Sequence, residues 1–215
     1  MPLSRKIVFL IALFSSIGLS SCVELLNEVT INKDKSGTAF IGIRVNALGG
    51  LIDMSSDYID DEIRNSIIHF PSDAQSKLKD IKGIHSIETF TRIGQGRIGI
   101  EFQFDNPKAL NKAYYKLLGE NKKWYYPKLL RIRNHSVKAK NISPYIKRYF
   151  QHNESFITKS NLLKYLKYTT VIHTPKKIME TAKGNVAADG KTLLFSVPMK
   201  KILNESASCG NYFKY

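Results

Sequence analysis

The chain has 215 residues, 33 Lys+Arg against 18 Asp+Glu, a net charge of +15, and 43% hydrophobic residues. That length suits one domain with a real core, or two small lobes. Two cysteines, Cys22 and Cys209, exclude a disulfide framework, and beyond the first segment no stretch is apolar enough to span a membrane.

The first 22 residues set the frame. Arg5 and Lys6 are followed by an apolar run from 7 to 14, which Ser15 and Ser16 interrupt. A bilayer-spanning helix needs about 20 apolar residues. A short run behind positive charge reads instead as an export signal. Leu19-Ser20-Ser21-Cys22 resembles the lipobox of bacterial lipoproteins. The resemblance implies that residues 1–21 are removed and that Cys22 carries a diacylglyceryl thioether and acyl chains of the palmitate type. Each buried methylene contributes about 0.8 kcal/mol, so two or three chains anchor firmly. The competing reading is an ordinary secretory signal with a chance cysteine. Val23, not Asp, follows Cys22 and favours the outer membrane by analogy with lipoprotein sorting.

Charge is uneven along the chain. Residues 22–105 hold 9 Lys+Arg and 13 Asp+Glu, a balance of −4; residues 106–215 hold 22 and 5, a balance of +17. On a tethered protein, a basic half has anionic lipid or lipopolysaccharide as its first candidate partner, glycan and other envelope proteins as further ones, and nucleic acid below them. The bland alternative is a solubilising lysine-rich face.

Residues 24–32 and 38–46 alternate as two strands around a polar turn at 33–37, where Gly37 is expected to take positive φ. After a Gly-Gly loop, Asp57 caps a helix with Ile59, Ile63 and Ile67 on one face, and Asp60, Asp61 and Glu62 suit its N-terminus. No spacing there matches a calcium loop. Ser72 or Asp73 starts a second short helix through Leu78 and Ile81. Strands follow at 84–91 and 97–104, the latter with Ile98, Ile100, Phe102 and Phe104 inward. Asn106-Pro107 opens a helix with Leu110, Ala113, Tyr114, Leu117 and Leu118 on one face. This order gives an α+β fold, an antiparallel sheet of hairpins with two to four helices on one face.

Residues 121–127 hold the chain's single Trp, two Tyr and two Lys. Residues 128–137 then read as one strand, with Leu130 and Ile132 on one face and Arg131, Arg133 and His135 on the other. Lys122, Lys123, Trp124, Arg131 and Arg133 are the candidate ligand or membrane contacts, since aromatic and cationic groups together suit headgroups, glycans or stacked bases. Core packing of Trp124 is the bland reading. Ser143-Pro144 starts a short helix, 151–160 reads as loop, 168–174 and 192–197 as strands, and 206–215 as a flexible tail containing Cys209. Residues 22–205 form one ectodomain, with a sub-boundary allowed near 120–145.

The five histidines, His69, His85, His135, His152 and His173, show no metal spacing, and no Gly-x-Ser-x-Gly or complete phosphate loop is present. Gly94-Gln95-Gly96 lacks the Lys-Ser/Thr of such a loop. No catalytic residue, cofactor or metal is therefore expected.

The lipobox Cys22, strand residues 29–32, the turn Asp34-x-Ser36-Gly37-Thr38, Phe102-x-Phe104-x-Asn106-x-x-Ala109-Leu110-Asn111, and Pro175, Gly184 and Asp189-Gly190-x-Thr192 before a closing strand together resemble LppM-type lipoprotein domains and related envelope lipoproteins. The resemblance implies an α+β envelope ectodomain without known catalysis, and the reading taken from the whole sequence is a binding or structural role. It offers no active-site residues to transfer, and the lysine richness of the second half is not part of the pattern. The alternatives are a subunit of an envelope or transport assembly and, below that, an enzyme.

Overall fold

A computed structural model of the chain describes residues 23–45, 61–91, 96–151, 166–205 and 207–215. The signal segment, Cys22, the start of the first expected helix and most of the 151–160 loop lie outside these residues. The fold is α+β. Strands β1 (Val23–Ile31), β2 (Gly37–Val45), β3 (Ile84–Phe90), β4 (Arg97–Phe104), β7 (Leu166–His173), β9 (Asn185–Val186) and β10 (Thr192–Pro198) form a seven-stranded sheet in the order β3-β4-β2-β1-β7-β10-β9. Strands β5 (Leu130–Arg133), β6 (Ser136–Ala139), β8 (Glu180–Thr181) and β11 (Asn211–Lys214) form a four-stranded sheet in the order β5-β6-β11-β8. Among the described residues every ladder is antiparallel except β1 with β7, so the large sheet is mixed where hairpins alone were expected.

Alternation builds the main core. Val29 and Ile31 of β1, Ile100, Phe102 and Phe104 of β4, Ile172 of β7 and Leu193 of β10 bury one sheet face. Helices α1 (Asp61–Leu78) and α2 (Pro107–Leu117) and the apolar side of the small sheet share that cluster. Helix α3 (Ser143–Gln151) and helix α4 (Met199–Asn204) extend the same face through a second cluster of Leu166, Tyr168, Phe195, Val197, Met199, Ile202 and Cys209.

Local chemistry explains most boundaries. Asn106 accepts from the backbone N–H groups of Lys108 and Ala109 at 3.0 and 3.1 Å and caps α2, with Pro107 in the first turn. Asp189 Oδ1 accepts from the N–H groups of Lys191 and Thr192 at 2.8 and 2.9 Å, and Gly190 takes φ +67°, which closes the turn into β10. At the β1–β2 turn the positive φ falls on Lys35, not Gly37. Gly37 is required for closeness instead: a Cβ there would lie 1.9 Å from Thr30 O.

Several expectations are corrected. The two helices read before Gly83 are one, because Pro71 sits inside α1, where it removes one N–H without ending the helix. The strand read at 128–137 is a hairpin, since Asn134 and His135 turn the chain between β5 and β6. The flexible tail is instead β11, paired with β6 and β8, with Phe213 1% exposed and Tyr215 buried.

The opposite face of the large sheet carries charge. Glu24 accepts from Arg44 of β2 and from Lys167 Nζ of β7, the latter at 2.7 Å. Glu28 meets Arg97 Nη2 at 3.2 Å and His173 Nε2 at 3.1 Å. The Arg97 guanidinium lies 3.9 Å from the Phe40 ring centroid. That ring in turn covers Gly42 and Gly99, where a Cβ would sit 2.9 or 2.8 Å from it.

Candidate functional site: a cationic sheet face

The small sheet is amphipathic because each strand alternates. Leu130, Ile132, Val137 and Phe213 point into the core. Arg131, Arg133, Lys138, Tyr212 and Lys214 fall on the other side. Register assembles them in two rows. Arg131 stands opposite Lys138, which stands opposite Tyr212. Arg133 stands opposite Ser136, then Lys214, then Glu180.

One hollow lies on this face, and a second lies at the β5–β6 turn, where it also reaches Ile132 of the core side and Lys35 of the β1–β2 turn. The first, of ≈ 270 Å³, is lined by Arg131, Arg133, Ser136, Lys138 and Tyr212. The second, of ≈ 420 Å³ and open to solvent, is lined by Lys35, Ile132, Arg133, Asn134, His135 and Ser136. They share Arg133 and Ser136, and no acidic residue lines either. Among the described residues, Arg131, Arg133 and Lys138 have no carboxylate partner, whereas Lys214 binds Glu180 at 2.8 Å. The hydrogen bond and charge of Glu180 raise the Lys214 pKa, so this ammonium stays charged beyond the usual lysine range.

Like charges directly opposite on a ladder destabilise it. Arg131 and Lys138 bear that cost without an acid between them. An anion in the trough removes it. Guanidinium groups are donors for phosphate or carboxylate oxygens, and the Tyr212 hydroxyl adds a neutral donor at the edge.

Two clamps hold the face rigid. Asn111 of α2 donates Nδ2 to Leu130 O at 2.7 Å and accepts Leu130 N at 3.1 Å, fixing the start of β5 on the helix. Ser143 Oγ donates to Ala207 O at 2.6 Å and accepts from the backbone N–H of Cys209 at 3.2 Å, which aims the chain into β11. Cys209 is thus 3% exposed rather than in a loose tail. Burial pushes its thiol pKa up, and the Ser143 hydrogen bond only partly offsets this.

The sequence-predicted contacts divide into two groups. Arg131 and Arg133 lie on the sheet face. Lys122, Lys123 and Trp124 lie in a turn between α2 and β5, and no hydrogen bond or ring contact joins that turn to the sheet face among the described residues. Trp124 does not pack into the core: it is 94% exposed, and it meets Tyr125 edge-on at 5.6 Å. Lys122 turns inward and donates to the carbonyls of Lys123 and Tyr126, both at 3.3 Å. Cys22 lies outside the described residues. Lys138, Tyr212 and Lys214 were missed in the sequence because the hairpin and β11 were missed. The parity break at Asn134-His135, after which Val137 rather than Ser136 points inward, was the available signal.

Other polar clusters have simpler roles. His85 Nδ1 lies 3.4 Å from Asp105 in an exposed pair, and His173 belongs to the Glu28 row. Among the described residues, no group of three His, Cys, Asp or Glu side chains is placed to hold a metal ion, and no helix is long and apolar enough to cross a membrane.

No protein-family model matches the chain, and no curated protein matches it. Among solved structures, the chain is similar to the folded domain of the LppM protein from Mycobacterium tuberculosis, determined by NMR, at 10% identity and a TM-score of 0.41, over 91% of this chain and 90% of that one.

Proposed function

We propose that the chain is a lipid-anchored lipoprotein of the cell envelope, placed at the outer membrane, whose ectodomain is a non-enzymatic binding module for a phosphate-bearing anion. Two sources fit that chemistry, an anionic lipid headgroup and a phosphorylated glycan. The observation that carries the reading is the pairing of Arg131 with Lys138 beside Arg133, around a hollow without any acid. The N-terminal signal and Cys22 supply the address. The first strand starts at Val23, so an acylated Cys22 leaves no linker between lipid and sheet.

The test takes the chain from residue 22 onward with Cys22→Ser, so that no acyl chain holds it to the bilayer, and measures its binding to phosphatidylglycerol vesicles and, separately, to a soluble inositol phosphate. With Arg131→Gln and Lys138→Gln together, both affinities should fall by about tenfold or more, the equivalent of losing one or two charge-assisted contacts. Binding to both probes assigns recognition to the phosphate itself, and binding to vesicles alone assigns it to the lipid surface. Unchanged affinities in the double variant refute the assignment.

A further inference from the structure

We propose that the turn at residues 122–126 is a second contact, a membrane-interface anchor in which Trp124 and Tyr125 enter the headgroup zone of an anionic bilayer. The inference rests on the reading of the chain as membrane-tethered, but it uses different residues from the phosphate face. Its first ground is exposure: Trp124 is 94% and Tyr125 58% solvent-exposed, and their rings pack on each other. Large aromatic side chains bury about 150–250 Å² each when covered, so leaving an indole in water forgoes substantial free energy.

The second ground is rigidity. Tyr126 N–H donates to Lys123 O at 3.2 Å, which closes the turn. The Lys122 ammonium braces it from inside. Tyr126 packs against Tyr115 in a tilted ring contact at 5.1 Å, and Tyr115 Oη donates to Pro127 O at 2.8 Å. The indole is presented on a fixed support, so little order is lost on insertion.

The third ground is chemistry. Trp and Tyr have apolar bodies and polar tips, the combination that favours the boundary between headgroups and acyl chains. Lys123 and Lys128 flank them on the exposed side, and residues 116–128 hold four lysines against one acid, Glu120. That balance complements anionic lipid. The turn lines neither of the two hollows described above, so it is separate from the phosphate face.

The single Trp of the chain makes the test direct. The protein is isolated from membranes in detergent, with its natural N-terminus, and reconstituted into phosphatidylcholine vesicles with and without phosphatidylglycerol. Trp emission should shift to the blue, more strongly with the anionic lipid. It should become protected from aqueous iodide and be quenched by lipids brominated near the glycerol end. The Arg131→Gln, Lys138→Gln double variant should keep this shift while losing inositol phosphate binding, which separates the anchor from the phosphate face. Trp124→Ala should fold normally by circular dichroism and, in the unacylated Cys22→Ser background, bind phosphatidylglycerol vesicles about tenfold more weakly than the chain that keeps Trp124. An indole that stays open to iodide on the reconstituted protein overturns the proposal. So does a blue shift that occurs on self-association without vesicles, which assigns the turn to a protein interface, and so does a chain that fails to associate with either vesicle.

Discussion

Replacing Glu24 with Gln tests the charged row that crosses the outer face of the large sheet. The carboxylate is 2% exposed and ties β1 to both neighbours: Arg44 of β2 donates Nη2 and, at 3.1 Å, Nε, and Lys167 of β7 donates Nζ at 2.7 Å. Gln keeps the shape but removes the counter-charge from two cations and turns an amide N–H₂ toward donors. Breaking a fully buried pair costs about 3–5 kcal/mol. The Arg44 and Lys167 side chains are 35% and 24% exposed, so water takes up part of their charge. The expected loss is therefore about 2–3 kcal/mol, or roughly 5–10 °C in Tm for a domain of this size. The pH dependence follows from opposing effects on the carboxyl. Burial works to raise its pKa, but the hydrogen bonds from Lys167 and Arg44 and their charges outweigh it, and the pKa ends below the ordinary value. A depressed folded-state pKa gives stability that is fully present above the unfolded pKa and is lost as pH falls through the folded one. The gap between wild type and Glu24→Gln should be complete at neutral pH and close in acid, below about pH 4. Urea unfolding of both proteins at several pH values measures it. A gap under about 0.5 kcal/mol at neutral pH, or one that widens on acidification, refutes the reasoning.

Three further outcomes are expected. Asn111→Ala leaves the buried N–H and C=O of Leu130 without their side-chain partner, and urea unfolding should show a loss of about 2–3 kcal/mol. Gly99→Ala places a Cβ 2.4 Å from Ile41 O and 2.8 Å from Gly42 Cα, backbone atoms that cannot yield cheaply, so Tm should fall by the equivalent of about 3 kcal/mol. Cys209, buried and with its thiol pKa raised by burial, should resist a thiol reagent at mildly alkaline pH and label fully only in denaturant; rapid labelling of the native protein would place the C-terminal segment outside the fold.

Much of the large sheet was legible in the sequence because its signals are local. The β1–β2 hairpin, the alternation of β4, the Asn106-Pro107 start of α2 and the Asp189-Gly190 turn each declare themselves within a few residues. The parallel pairing of β1 with β7 brings Val29 beside Ile172 across the length of the chain, and no local pattern announces it. Reading one buried face per strand also left Phe40 and Glu24 unremarked. They are covered because Phe40 lies beneath Arg97 and Glu24 lies between two cations, pairings set by register. At the candidate site, Arg131 and Arg133 were found from alternation. Their companions Lys138, Tyr212 and Lys214 come from a hairpin read as one strand and from a last strand of four residues. The aromatic turn was singled out by composition, but composition cannot tell a ring that packs inward, like Tyr126, from one that faces water, like Trp124.

The central claim is that the small sheet's outer face receives a phosphate-bearing anion, and the most direct measurement is a titration of the isotope-labelled protein with inositol phosphate followed by amide NMR shifts. Saturable shifts concentrated in residues 130–139 and 211–214, and absent in the Arg131→Gln, Lys138→Gln variant, are the predicted result. Shifts scattered over the exposed lysines of the whole chain, or none on these strands, would contradict it.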